Sequence, residues 1–243
     1  MIKAYYSDQS KVLMISTSKI HGSDYMEYLL DELEDFLDGH KELLFIPYAR
    51  PGGISYDEYT EYPAKALKSK GINVTGIHEY EDPDLAIKNA AAIFVGGGNT
   101  FLLTKTLYEL GLIDTLREAV VAGTPYMGSS AGSNITGLSI GTTNDMPIVY
   151  PPSFEALSLV PFNINPHYLD PDPDSKHQGE TRATRINEFH FQNKQAVIGL
   201  REASWLRLEG GKLELKGPHT APLFEAGKAM RELEQGDVSF LLS

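Results

Sequence analysis

Ala92-Ile-Phe-Val-Gly-Gly-Gly-Asn-Thr-Phe-Leu-Leu103 runs from a short apolar stretch through three glycines into a segment of helical period. A strand, a turn without side chains and a helix start in direct succession form the repeating unit of a parallel sheet. The same signals recur at Pro125-Tyr-Met-Gly-Ser-Ser-Ala-Gly-Ser-Asn134, where Pro125 to Gly128 reads as a strand. Upstream, Val12 to Ile15, Leu43 to Pro47 and Asn73 to Ile77 read as further strands. Between them Tyr25, Tyr28, Leu29, Leu30, Leu33, Phe36 and Leu37 fall at spacings of three and four, one face of a helix packed on the sheet. Ser55 and Glu58 have capping-box spacing, which predicts a helix running to Ser69, kinked near Pro63 and stopped at Gly71. A short helix is expected from about Asp84, and Thr100 to Ala122 reads as helix broken at Gly111. The fold class is therefore α/β, a mostly parallel sheet flanked by helices, and ligands in such sheets bind beyond the carboxyl ends of the strands.

After Pro147 the character changes. Prolines punctuate the chain at 151, 152, 161 and 166, and Asp170 to His177 reads as an exposed acidic loop. Helical period returns over Arg182 to Phe189, Ala196 to Leu200 reads as a strand, and residues 205 to 215 alternate around Gly210-Gly211 as a C-terminal β-hairpin. No repeat, low-complexity tract or linker interrupts residues 1 to 243, so one continuous domain is the simplest expectation.

Composition narrows the function classes. The 243 residues carry 33 Asp and Glu against 21 Lys and Arg, a formal net charge of -12, which repels nucleic acid and anionic membranes. Zero cysteines exclude a thiol nucleophile, a disulfide framework and a Cys-based zinc site. No run of 18 uncharged apolar residues occurs, and the start lacks the apolar stretch of a signal peptide, so a cytoplasmic location is expected. Asp170, Asp172, Asp174 and His177 could suggest a metal. Two intervening prolines and the lack of a loop-ending bidentate glutamate favour a solvated loop or a lid, so neither metal nor cofactor is expected.

The sharpest chemical signal is Gly128-x-Ser130-x-Gly132, between a strand and a helix start. In such a nucleophile elbow the glycines leave room for a tight turn that pushes the serine hydroxyl out at the sheet edge. The Ala131 amide, at the helix start, would face a developing oxyanion, and the Gly98 amide across the same edge would be a second donor. A glycine turn kept for backbone reasons is the competing reading. Phosphate binding is disfavoured, because the spacing is neither G-x-x-x-x-G-K-[ST] nor a dinucleotide fingerprint with its distant acid. A serine needs a base, and a base needs an orienting group. Of seven histidines, His21, His40, His78, His190 and His219 read as surface or element ends, whereas His167 follows the apolar strand Phe162 to Pro166. Asp145 lies between Ser130 and His167 and is the preferred acid; Glu180 is the alternative, and an Asx turn before a proline is the bland reading of Asp145.

The motifs GGGNTFLL (96 to 103), GSSAGSN (128 to 134), TTNDMPIV (142 to 149), INPH (164 to 167) and GETR (179 to 182) stand in one order. With FIPYA (45 to 49) and VTGIH (74 to 78), that order and spacing resemble peptidase E, the aspartyl dipeptidase family of serine peptidases, over essentially the whole chain. The resemblance implies a glutamine-amidotransferase-like (flavodoxin-like) sheet and hydrolysis of dipeptides with an N-terminal aspartate. It matches Ser130 to the nucleophile, His167 to the base, Asp145 to the acid, and Gly98 and Ala131 to the oxyanion amides. Ser129 departs from the bulky aromatic expected before the nucleophile, which would alter the local pocket. A substrate carboxylate calls for an arginine fork. Arg182 in GETR is the first choice, ahead of Arg185, Arg50 and Arg201, with a surface pairing of Arg182 to Glu180 or Glu188 as the plain alternative. Asn99 and Glu180 complete the expected substrate-binding set. The implied partner is a small acidic dipeptide, taken up by a monomer or small homo-oligomer. A hydrolase of another acidic peptide, similar to cyanophycinase, and a non-catalytic flavodoxin-like binding module remain as alternatives.

Overall fold

A computed structural model describes residues 4–171 and 179–243. The strands in chain order are β1 Val12–Ile15, β2 Glu42–Ile46, β3 Asn73–Gly76, β4 Ile93–Val95, β5 Tyr126–Ser129 and β6 Asn163–Pro166. They continue as β7 Val197–Leu200, β8 Trp205–Glu209, β9 Lys212–Lys216, β10 Ala221–Phe224, β11 Arg231–Leu233 and β12 Gly236–Asp237. The helices are α1 Leu30–Leu37, α2 Tyr56–Leu67, α3 Pro83–Lys88, α4 Thr100–Glu109, α5 Leu112–Val121, α6 Ala131–Asn134 and α7 Arg182–Phe189.

The main sheet has the order β12-β9-β8-β1-β5-β4-β2-β3. Its five strands from β1 to β3 are mutually parallel, and β8, β9 and β12 extend it antiparallel. Successive residues of β1 face opposite sides: Val12 and Met14 pack in one core cluster with Ile46, Val95 and Tyr126, while Leu13 and Ile15 pack in another with Phe45, Phe94 and Met127. Burial on both faces is why these strands read as continuous apolar runs. The chain passes from β2 out to β3 and back across to β4, so the strand order reverses between β2 and β4. Crevices at such reversals are the usual ligand sites of doubly wound sheets.

Most boundaries follow local chemistry. Ser55 and Glu58 form both bonds of the capping box at α2, and the helix tolerates Pro63 but ends at Leu67, its last turn tightened to 3-10 geometry before Gly71. Gly111, at φ 68°, separates α4 from α5. The hairpin turns at Gly210-Gly211, both at positive φ, as a two-residue connection requires.

Two features depart from the sequence expectation. The predicted first helix begins only at Leu30, preceded by a 3-10 turn over Glu27–Leu29 and by Met26 in the left-handed region. The C-terminal third also forms a second sheet, β11-β10-β7-β6, in which β6 and β7 are parallel and joined through α7. Short strands holding Pro222 and charged residues at 231 and 232 give little periodic signal, so the sequence pattern does not reveal this sheet.

Candidate active site

The carboxyl end of β5 turns directly into α6 at Ser130. Ser130 has φ 53° and ψ -107°, a sparsely populated conformation for a residue with a side chain. Its amide donates to the Ile15 carbonyl at the end of β1 (3.0 Å), which holds the elbow against the neighbouring strand. A Cβ at Gly128 would strike the Gly132 backbone, so only glycine allows the turn to close this tightly.

His167 follows β6 and meets the serine: its Nε2 lies 3.0 Å from Ser130 Oγ. Its Nδ1 lies 2.8 Å from Glu202 Oε1. Glu202 stands just beyond β7, and Pro166 pairs with Leu200 in the parallel register of β6 and β7, so the residues after both strands emerge together. Neutral histidine cannot donate from both nitrogens, and a carboxylate at Nδ1 favours the tautomer that leaves Nε2 free to accept from the serine.

Asp145 is not the group on the histidine. Its Oδ2 accepts the Thr100 amide (2.7 Å) and the Thr143 hydroxyl (3.1 Å), so it satisfies a free donor at the start of α4. Glu180 is not there either; it lies on the surface, 3.8 Å from Arg185 Nε. The position of Asp145 between Ser130 and His167 favours it on sequence grounds and hides Glu202, which follows both. The strand-helix-strand pattern from 162 to 200 was the available signal, since parallel strands joined by a helix end at the same rim.

A buried serine ties the segments carrying His167 and Glu202 together. Ser16, at the end of β1, donates from Oγ to the Leu200 carbonyl (2.7 Å) and accepts the His167 amide (3.0 Å). Its own amide donates to the Ser204 carbonyl (3.1 Å). His167 also has a left-handed backbone, φ 53°, and Asn144 Nδ2 donates to the preceding Pro166 carbonyl (2.7 Å). Nearby, burial and the charge of Glu202 raise the Tyr28 hydroxyl well above its ordinary pKa, so it stays a neutral donor to the Thr17 carbonyl.

The glycine turn after β4 abuts the elbow. A Cβ built on Gly97 would lie 3.1 Å from Ser130 Cβ. Gly98 has φ 143°, and a Cβ there would run into the Ala49 carbonyl. The Gly98 and Ala131 amides meet no backbone acceptor among the described residues. Asn99 does not offer a free side chain: its Oδ1 accepts the Leu102 amide as the α4 cap, and its Nδ2 donates to the Met146 carbonyl.

Arg182 opens α7 and lines a small cavity with Thr142, Thr143, Asn144 and Asn165. Burial and the neighbouring Arg185 charge lower its pKa, and Asp145 opposes this. No carboxylate within 4 Å pairs with it among the described residues, so the surface pairing with Glu180 or Glu188 is not formed. Arg201 is occupied by Asp170 and Glu232. Asp172, Asp174 and His177, read as part of an acidic loop or lid, lie outside the described residues.

A strained serine at a strand-to-helix elbow, in contact with a histidine that itself meets a carboxylate, defines a serine hydrolase site on a doubly wound α/β sheet. Comparisons with known proteins agree. The sequence model of peptidase family S51 matches residues 12–216, and the chain belongs to that family. Peptidase E of Streptomyces coelicolor is 52% identical over 232 residues, covering 95% of this chain and 94% of its own. A Drosophila melanogaster protein named "Probable alpha-aspartyl dipeptidase" is 49% identical over 235 residues, covering 95% and 97%. The solved structure of a peptidase from an acI-B1 Actinobacterium superposes with a TM-score of 0.70 at 16% identity, over 92% of this chain and 93% of that one, and shares the fold.

Proposed function

We propose that the chain is a serine dipeptidase for dipeptides with an N-terminal aspartate, and that Glu202 takes the place expected of Asp145. The observation that carries this is the relay of 3.0 Å from Ser130 Oγ to His167 Nε2 and 2.8 Å from His167 Nδ1 to Glu202. Ser130 Oγ attacks the scissile carbonyl carbon and its proton passes to His167 Nε2, while Glu202 stabilises the imidazolium. The carbonyl oxygen becomes an oxyanion between the Gly98 and Ala131 amides, each such donor contributing about 3 kcal/mol. Collapse breaks the C–N bond, His167 returns the proton to the departing amine, and an aspartyl ester remains on Ser130. Water then adds with His167 as base, freeing aspartate and the serine hydroxyl. Arg182, without an ion partner among the described residues, receives the aspartyl side-chain carboxylate. The names of the Drosophila and Streptomyces relatives support this substrate class.

The test is hydrolysis of Asp-Leu, Glu-Leu, Asn-Leu and longer aspartyl peptides with chelator present. Asp-Leu is expected to be preferred, and Ser130→Ala to lower turnover by at least about 1,000-fold with the circular dichroism spectrum unchanged. Near-normal turnover by purified Ser130→Ala would overturn the nucleophile, and preference for the longer peptides would move the substrate to an acidic polymer. A fluorophosphonate probe that failed to label the wild type would favour a binding module.

A further inference from the structure

Seven arginines lie among the described residues, and five of them, 117, 185, 201, 207 and 231, have a carboxylate oxygen within 4 Å. Arg182 and Arg50 have none among the described residues. Both belong to segments that reach the rim carrying Ser130, from different directions. Arg182 comes from α7, beside the loop after α6 and the end of β6. Arg50 follows β2, at the strand reversal next to β4.

Arg50 is tied to the glycine turn. The preceding Ala49 carbonyl accepts the Asn99 amide (2.7 Å), and Ala49 fills the space a Cβ on Gly98 would need. Its guanidinium stacks on Tyr59, 4.4 Å from the ring centre, and Tyr59 Oη donates to the Gly97 carbonyl (2.9 Å). Gly97 in turn touches Ser130. Stacking holds the guanidinium plane, and its Nε is buried with no acceptor among the described residues. A buried donor without a partner is costly, and an uncompensated cation more so, which marks a place where an anion would be bound.

A dipeptide with an N-terminal aspartate carries two carboxylates, one on each side of the scissile bond. We infer that Arg50 receives the free C-terminal carboxylate of the leaving residue, so that Arg182 and Arg50 together measure a substrate two residues long. This rests on the dipeptidase reading above and adds to it the expectation that blocked or longer peptides are poorer substrates. A third residue would replace the charge at Arg50 with a neutral amide, leaving the guanidinium unpaired in the complex.

The experiment compares Asp-Leu with its C-terminal amide, in the wild type, Arg50→Met and Arg50→Lys. Methionine keeps an apolar chain over Tyr59 without the charge. The wild type is expected to favour the free acid in kcat/KM by roughly 10- to 100-fold, the loss typical of one charge-assisted hydrogen-bonding partner. Arg50→Met is expected to lose that preference while keeping amide hydrolysis, which also reports that the variant is folded. Arg50→Lys should restore part of it. A wild type indifferent to amidation, or an Arg50→Met that retains the preference or loses acid and amide alike, overturns the inference while leaving Asp-Leu hydrolysis intact. A wild type inactive on both substrates overturns the dipeptidase reading and this one with it.

Discussion

Ser130, His167 and Glu202 come from the ends of three strands in two sheets, and the carboxylate at 202 is the member that chain order concealed. Replacing Glu202 by Gln keeps shape but removes the negative charge and can turn an amide N–H toward Nδ1, favouring the wrong imidazole tautomer, so kcat should fall by about 100- to 10,000-fold with KM little changed. Asp145 behaves differently, because its bonds go to Thr100 and Thr143. Asp145→Ala should lower stability by about 1 kcal/mol, the usual cost of a lost helix cap, measured by urea unfolding. If Glu202→Gln keeps full kcat, the relay is wrong. The serine and the histidine were legible because a glycine-flanked elbow and a histidine after an apolar strand are local patterns. Glu202 was not, since its place beside His167 depends on the pairing of β6 with β7, for which the strand-helix-strand pattern over 162 to 200 is only an indirect signal.

At the level of elements, the site depends on how β1, β6 and β7 are held together. Ser16 bridges them through one hydroxyl, and the His167 backbone it holds is itself left-handed. Ser16→Ala is expected to lower kcat roughly 10- to 100-fold through misplacement of His167, and to alter the pH profile of kcat/KM; Ser16→Thr, which keeps the hydroxyl, should recover most of it. A loss in Ser16→Ala accompanied by an unchanged pH profile would point to general destabilisation instead. Behind Glu202, Arg201 draws Asp170 and Glu232 below the ordinary carboxylate pKa by its hydrogen bonds. A carboxylate lowered in the folded state contributes stability above its unfolded pKa and loses it as pH falls through the folded value. Arg201→Met should therefore be destabilised relative to wild type at pH 7, with the gap in urea midpoint shrinking below about pH 4. A gap that persists at acid pH would show that the guanidinium acts mainly by packing on Tyr168, whose ring centre is 5.7 Å away.

The whole molecule carries a formal charge of -12, against which an anionic dipeptide must diffuse. Salt at about 0.1 M screens charge beyond about 10 Å, which weakens this long-range repulsion more than the short contacts to arginine. At low substrate, kcat/KM for Asp-Leu should rise a few-fold between 10 mM and 150 mM salt. A monotonic fall would mean that local cations dominate the approach. Among the described residues no helix is long and apolar enough to cross a membrane.

The sequence by itself determined the parallel sheet, the elbow at Ser130, the glycine turn at 96 to 98 and the hairpin at Gly210-Gly211, because each is written in residues close together along the chain. Only the tertiary structure decided that Glu202 rather than Asp145 meets His167, that Asn99 and Asp145 are spent on the start of α4, and that Arg50 stacks on Tyr59 with no carboxylate partner among the described residues. Those outcomes depend on which strand ends become neighbours and on which polar groups are already satisfied when they arrive, and both are set by packing across distances the local pattern does not reach.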